Sequence, residues 1–200
     1  MASPGMNALN FLLTTLFDLY IMVVAIRFLM QVTRADYHNP ISQFVVKATN
    51  PLLIPLRRFV PGFAGTDIAA LVLCLLLILL KLMLFKVMGF GDYFGGKGIH
   101  LALANGVQIA ALSVISLIEL FFNVFIYSIV ILAILSWIPS SGGYNPVQSV
   151  LYSLTSPVLN PLRKVIPPIG GLDISALVAI IALHLAKILV VQSLVNMVAS

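Results

Sequence analysis

Four stretches of this chain, Leu9 to Val32, Ile68 to Phe90, Ile115 to Ile138 and Ile174 to Val198, each run for more than twenty residues with only one or two charges apiece. About twenty apolar residues in a helix cross the roughly 30 Å of bilayer hydrocarbon, where no water is present to satisfy backbone N–H and C=O groups. The four runs therefore demand helices that span a membrane. The predicted fold class is all-α, a polytopic helical membrane protein. Composition agrees, since 61% of the 200 residues are hydrophobic and 8% charged, against about a quarter charged in a soluble domain.

The polar segments between these runs repeat. "TNPLLIPLRRFVP" at 49–61 is matched by "TSPVLNPLRKVIP" at 155–167. The pairs Asn39/Asn145, Pro40/Pro146, Pro51/Pro157, Pro55/Pro161, Arg57/Arg163, Pro61/Pro167, Gly65/Gly171, Asp67/Asp173 and Lys81/Lys187 all lie 106 residues apart, and Lys164 stands where the first copy has Arg58. From Asn39 to Val72, 15 of 34 aligned positions are identical. The chain thus reads as two tandem copies of a helix–amphipathic loop–helix unit, four transmembrane helices plus interfacial helices. The first copy is 1–98, with spans at about 9–32 and 68–90. The second is 99–200, with spans at about 115–138 and 174–198 and an extra helical extension at 99–114. Residues 99–138 are expected to form one helix of about 60 Å at 1.5 Å per residue, bending near Asn105 and Gly106. Two spans per copy set both copies the same way up, unlike inverted-repeat transporters.

Charge sets the expected orientation. Arg34, Lys47, Arg57, Arg58, Arg163 and Lys164 occupy the proline loops, whereas the linker between copies has Lys86 and Lys97. The positive-inside bias puts both loops in the cytoplasm. Asn39 and Asn145 suit helix N-caps, with Pro40 and Pro146 at the first helical position. The apolar sets Ile41, Phe44, Val45, Ala48 and Val147, Val150, Leu151, Leu154 give each following helix one greasy face, as an interfacial helix needs. Pro51 and Pro157 are expected to end these helices, and Pro55 and Pro161 to bar a long successor. Arg57, Arg58, Arg163 and Lys164 are then placed to reach lipid phosphates. Asp67 and Asp173 are expected to cap the next membrane helix.

Apart from Lys86 at the end of its helix, five charges fall within the spans: Asp18, Arg27, Lys81, Glu119 and Lys187. A charge deep in hydrocarbon is costly and marks a candidate site. Asp18 is expected to pair with Lys81 and Glu119 with Lys187; the lysines have snorkelling to outer headgroups and an ion or proton path as alternative roles. Arg27 is expected to snorkel to phosphate. Asn123 and Tyr127 suit hydrogen bonds across the bundle. His184, one turn before Lys187, aligns with Ile78 and so is not part of the repeated plan.

Other chemistries lack their residues. The net charge of +5 comes from 11 Lys and Arg with no long basic tract, so anionic phospholipid, and not nucleic acid, is the expected counterpart. Cys74 is the one cysteine, and no metal or cofactor set is visible. "GDYFGGKG" at 91–98 resembles a phosphate loop but lacks its Ser or Thr and follows a membrane helix. His38, His100 and His184 do not form a hydrolytic set. "MASPGMNALN" offers no basic residue ahead of the first run, so that helix is expected to be retained.

The doubled pattern of Asn-Pro, an amphipathic stretch, "NPLLIPLRRFVP" or "SPVLNPLRKVIP", then Gly, Asp and a membrane helix resembles the YggT family of bacterial inner-membrane proteins, whose plastid relatives are called YlmG or CCB. The resemblance covers nearly the whole chain. It implies a multi-pass protein of the bacterial inner (cytoplasmic) membrane linked to osmotic or ion homeostasis, to cell and plastid division, or, in plastids, to haem attachment in cytochrome b6. It supplies no catalytic residues. The expected function is a non-enzymatic membrane scaffold or assembly factor, with a second copy of itself or a cytoplasmic protein as its partner; the alternative is an oligomeric channel or ion-uptake component.

Overall fold

The computed structural model describes residues 4–62, 66–90, 100–137, 145–166 and 173–199. These form six helices: α1 (Pro4–Val32), α2 (Pro40–Arg57), α3 (Ile68–Val87), α4 (Gly106–Trp137), α5 (Pro146–Val165) and α6 (Ile174–Ala199). Of these, α1, α3, α4 and α6 are long and apolar enough to cross a membrane. α2 and α5 are the amphipathic helices of the two copies. Gly65, Gly171, Pro167 and the 91–98 linker, with the boundary between copies, lie outside the described residues.

Packing follows the duplication. α3 lies against α1 and α6 against α4, while α4 also touches α1 and α3 and so joins the copies. Between membrane helices no water is expelled, so close packing must supply the attraction, and small residues allow it. Ala25, Ala69, Ala70 and Cys74 are all fully buried in the core beneath α2, and Ala176 and Ala179 occupy the matching place beneath α5. A third cluster, built around Ile78, Leu82, Phe85, Leu112 and Val191, fills the opposite end of the bundle.

Helix ends explain how the chain turns. α1 closes with Arg34 in the left-handed region at φ 53°. Its N–H donates to Gln31 C=O at 3.2 Å and that of Ala35 to Met30 C=O at 2.8 Å, the double bond of a Schellman stop. α3 closes the same way at Gly89, φ 67°, with Phe90 N–H on Phe85 C=O at 3.0 Å and the two rings edge to face.

Two expectations are corrected. The amphipathic helices do not stop at Pro51 and Pro157: α2 runs through Pro51 and Pro55, and α5 through Pro157 and Pro161. All four prolines sit on the exposed side. The hydrogen bonds they forfeit therefore open toward polar surroundings, where freed carbonyls find other donors, and the buried side of each helix stays intact. That side in α2 is Ser42, Val45, Thr49 and Leu53, with Phe44 65% exposed, so the buried stripe is offset from the expected apolar set. The second correction concerns residues 99–138, which are not one helix. α4 begins at Gly106, where Asn105 Oδ1 accepts from Gln108 N–H at 2.8 Å and Gln108 Oε1 accepts from Asn105 N–H at 3.0 Å. This is a capping box, and it stops the helix from extending toward residue 99.

Asp18 stands 14 residues from each end of α1, and Glu119 stands 13 residues into α4. At 1.5 Å per residue both lie about 20 Å from the nearer helix end.

Candidate functional site: the basic platform and the polar cleft

The first candidate site is a platform made by α2 and α5. Asn39 and Asn145 cap their helices as expected, with Oδ1 accepting from Ile41 N–H at 2.8 Å and from Val147 N–H at 3.0 Å. Pro40 and Pro146 occupy the first turn. Asn39 also crosses between copies, its Nδ2 donating to Pro146 C=O at 2.7 Å. This bond joins the starts of the two amphipathic helices.

Each helix is fastened at its far end by the repeated arginine. Arg57 grips the Asp67 carboxylate through Nε (3.4 Å) and Nη2, and Arg163 grips Asp173 through Nε (2.9 Å) and Nη2 (2.6 Å). Asp67 is buried and Asp173 half-buried. This corrects two expectations. The Asp67 side chain makes no cap bond to α3, and Arg57 and Arg163 are turned to a carboxylate instead of a lipid phosphate. In the first copy the planar guanidinium meets both carboxylate oxygens at once, whereas in the second both donors converge on Asp173 Oδ2 and Oδ1 accepts from the Ser175 hydroxyl; two donors from one rigid plane make each clamp directional. Burial raises the Asp173 pKa, but hydrogen bonds from Ser175 and Arg163 outweigh it and hold the group below its ordinary value. Arg163 gains further support from Tyr152, whose hydroxyl accepts at 3.1 Å and whose ring lies 5.3 Å away.

The second residue of each basic pair behaves differently. Arg58 and Lys164 are exposed, beside Phe59 and Val165, which are 83% and 79% exposed. Cation next to apolar side chain therefore recurs at the same place in both copies.

Arg27 does not snorkel. It is buried beneath α2, where Nη1 donates to Thr49 Oγ1 at 3.2 Å. Thr49 in turn donates to Val45 C=O at 2.8 Å. Its counterpart Thr155 makes the same backbone bond to Leu151, but Ala133 replaces the arginine.

The second candidate site is a cleft of about 800 Å³ among α1, α3 and α4, in the half of the bundle away from the platform. Asp18 pairs with Lys81 as expected, Oδ1 to Nζ at 2.5 Å. Glu119 also lines the cleft. Lys187 has a different partner from the one expected: it donates to Asn123 Oδ1 at 3.1 Å, one turn along α4 from Glu119. Thr49, Tyr152 and the cleft residues Asn7, Asn10, Thr14 and Ser116 went unnoticed in the sequence. For the last four, a signal existed in the spacing of polar residues along each apolar run. For Thr49 there was none, because its partner is fixed by tertiary packing.

Taken together, the four long apolar helices and the two clamped interfacial helices define a multi-pass helical membrane protein built from a duplicated unit. The profile of the CCB3/YggT family matches residues 6–88 and again 111–194. The chain is 42% identical over 195 residues to an uncharacterized protein of Pseudomonas aeruginosa, covering 96% of this chain and 93% of that one. It is 35% identical over 191 residues to the uncharacterized protein YggT of Escherichia coli K12, covering 94% and 92%. A chloroplastic YlmG homolog of Arabidopsis thaliana is 34% identical over 83 residues, 42% of this chain and 32% of that protein. No solved structure matches the chain. The chain belongs to the CCB3/YggT family.

Proposed function

We propose that this chain is a non-enzymatic scaffold or assembly factor of the bacterial inner membrane, seated with its α2–α5 platform on the anionic cytoplasmic leaflet. There it holds a protein partner or a second copy of itself, in support of osmotic or ion homeostasis or of envelope and division processes. The observation that carries the reading is the repeated exposed pair, Arg58 with Phe59 and Lys164 with Val165. In each pair the apolar side chain enters the headgroup boundary while the cation meets phosphate. Clamping by Arg57 and Arg163 keeps both pairs at a fixed height.

The test is retention of anionic lipid by the protein extracted in native-lipid particles. Arg58→Glu with Lys164→Glu lowers retention, and wild-type retention falls steeply with salt because exposed charges are screened within about 8 Å at physiological ionic strength. Equal retention by wild type and variant overturns the reading. A second reading, a component of an oligomeric channel or ion-uptake system, is favoured by one observation: a polar cleft of about 800 Å³ within helices that are otherwise apolar.

A further inference from the structure

We propose that a phosphate group, the singly charged phosphodiester of a lipid headgroup or a free phosphate ion in its place, binds between Arg27 and Tyr37 where α2 crosses the end of α1. This deepens the platform reading, on which it rests only for the lipid as source. Arg27 is 6% exposed, and an arginine taken out of water is costly unless an anion and hydrogen bonds replace that water. A guanidinium offers a fork of N–H donors, yet among the described residues Arg27 meets one side-chain acceptor, the neutral Thr49 hydroxyl. Its other nitrogens are not sealed in. Ser42 Oγ is the one fully buried side-chain polar atom without a partner among the described residues, so the unpaired nitrogens of Arg27 open on accessible space.

No described carboxylate is left to neutralise this charge. Of the six acidic side chains, Asp67 has both oxygens on Arg57, Asp36 is exposed and bonded to His38, and Asp173 is held by Arg163. Asp18 and Glu119 line the cleft in the other half of the bundle, and Asp92 lies outside the described residues. Arg57 and Asp67 both act on Arg27, and the repulsion from Arg57 is the larger. Two guanidiniums thus share one carboxylate, an excess of one positive charge that a phosphodiester balances. Tyr37 adds a neutral donor: it lies within the field of Arg27, Arg57 and Asp67, is 40% exposed, and its hydroxyl has no partner among the described residues. The duplication marks both groups as additions to the common plan. The second copy keeps Thr155, Arg163 and Asp173 but has Ala133 and Gly143 in the places of Arg27 and Tyr37, so an amphipathic helix is seated and clamped without either. Arg27 stands five residues before the end of α1, about 7.5 Å along its axis, which brings a long side chain to the edge of the headgroup layer. Basic pockets at that depth between membrane helices suit lipid headgroups.

The experiment is thermal unfolding of the full chain, delipidated in maltoside micelles and titrated with a short-chain phosphatidylglycerol against the diacylglycerol of the same chains. A second arm titrates sodium phosphate against sodium chloride at equal ionic strength. A ligand that binds only the folded state raises Tm in a saturable way. Wild type shows such a rise with at least one of the two phosphates and with neither control, and the arm that saturates at the lower concentration names the source. Tyr37→Phe keeps the ring and raises the midpoint concentration about tenfold, the loss of one hydrogen bond to a charged group. Arg27→Met removes the rise, and Arg27→Lys, which keeps the charge but not the fork, restores it at a higher midpoint. A merely structural arginine gives no saturable rise in wild type, and binding to the platform surface at large gives one whose midpoint is the same in Tyr37→Phe and Arg27→Met; either result overturns the site. Lipid retention by Arg58→Glu with Lys164→Glu separates the site from the reading beneath it. Unchanged retention with the saturable rise intact removes the platform reading and leaves the site, while reduced retention with no saturable rise in wild type removes the site and leaves the platform reading.

Discussion

The Arg57 clamp allows an unequal response to mutation to be worked out from burial. In the first copy the Asp67 side chain is 5% exposed and its partner Arg57 41% exposed; in the second, Asp173 and Arg163 are 30% and 28% exposed. Arg57→Met strands a buried carboxylate. Breaking a fully buried pair in this way costs about 3–5 kcal/mol, and the exposure of Arg57 discounts this to about 2 kcal/mol. Arg163→Met leaves a carboxylate that water reaches and that Ser175 still serves, so about 1 kcal/mol is expected. Asp67→Asn costs less than Arg57→Met, because a half-exposed guanidinium rehydrates where a buried carboxylate does not. Thermal unfolding in nanodiscs reads these as a fall in Tm of about 6 °C for Arg57→Met and about 3 °C for Arg163→Met, at roughly 3 °C per kcal/mol for a chain of this size. Equal losses in the two copies, or an Asp67→Asn loss as large as that of Arg57→Met, would show that burial of the carboxylate does not set the cost.

Further predictions follow from single contacts. Asn39→Ala loses a cap worth about 1 kcal/mol and the inter-copy bond to Pro146, worth about another; Asn145→Ala loses the cap alone, and equal Tm losses would contradict this. Thr49→Val keeps the volume but removes the acceptor of buried Arg27, so it costs about 1–3 kcal/mol, whereas Thr155→Val, with no arginine above it, costs less. Because the folded pKa of Asp173 lies below its ordinary value of 3.8, its stabilisation is complete above that value and is lost as pH falls through the lower folded pKa. Wild type thus loses Tm below about pH 4 faster than Asp173→Asn does, and parallel acid titrations would rule out that assignment.

Much of the fold was legible because two periodic signals are strong: apolar runs long enough to cross hydrocarbon, and a repeat of fixed offset. The caps at Asn39 and Asn145 were equally readable, since Asn-Pro carries both the cap acceptor and a first-turn residue without a donor. In the proline-bearing helices the ring alone suggests a stop, but the face it occupies decides the outcome. Four prolines spaced to stay on the exposed side leave the buried stripe unbroken. The start of α4 is set by Asn105 and Gln108, a capping pair three residues apart that the surrounding apolar run obscures. In the site, the pairing of Asp18 with Lys81 was accessible from depth alone. The Arg57–Asp67 clamp was not, although a trace of it was present: arginine and aspartate recur together, ten residues apart, in both copies. Arg27 with Thr49 left no trace, since their meeting depends on how α2 lies across α1.

In the proposed orientation both copies stand the same way up and present one basic platform to the cytoplasm. Single cysteines at Gln43 on α2, Asn160 on α5 and Leu103 at the opposite end, all exposed positions, test it in a Cys74→Ala background. With a membrane-impermeant maleimide, Gln43→Cys and Asn160→Cys label in inverted membrane vesicles but not in spheroplasts, and Leu103→Cys shows the reverse. Labelling of the α2 and α5 sites from opposite sides, or of both from outside, would contradict it.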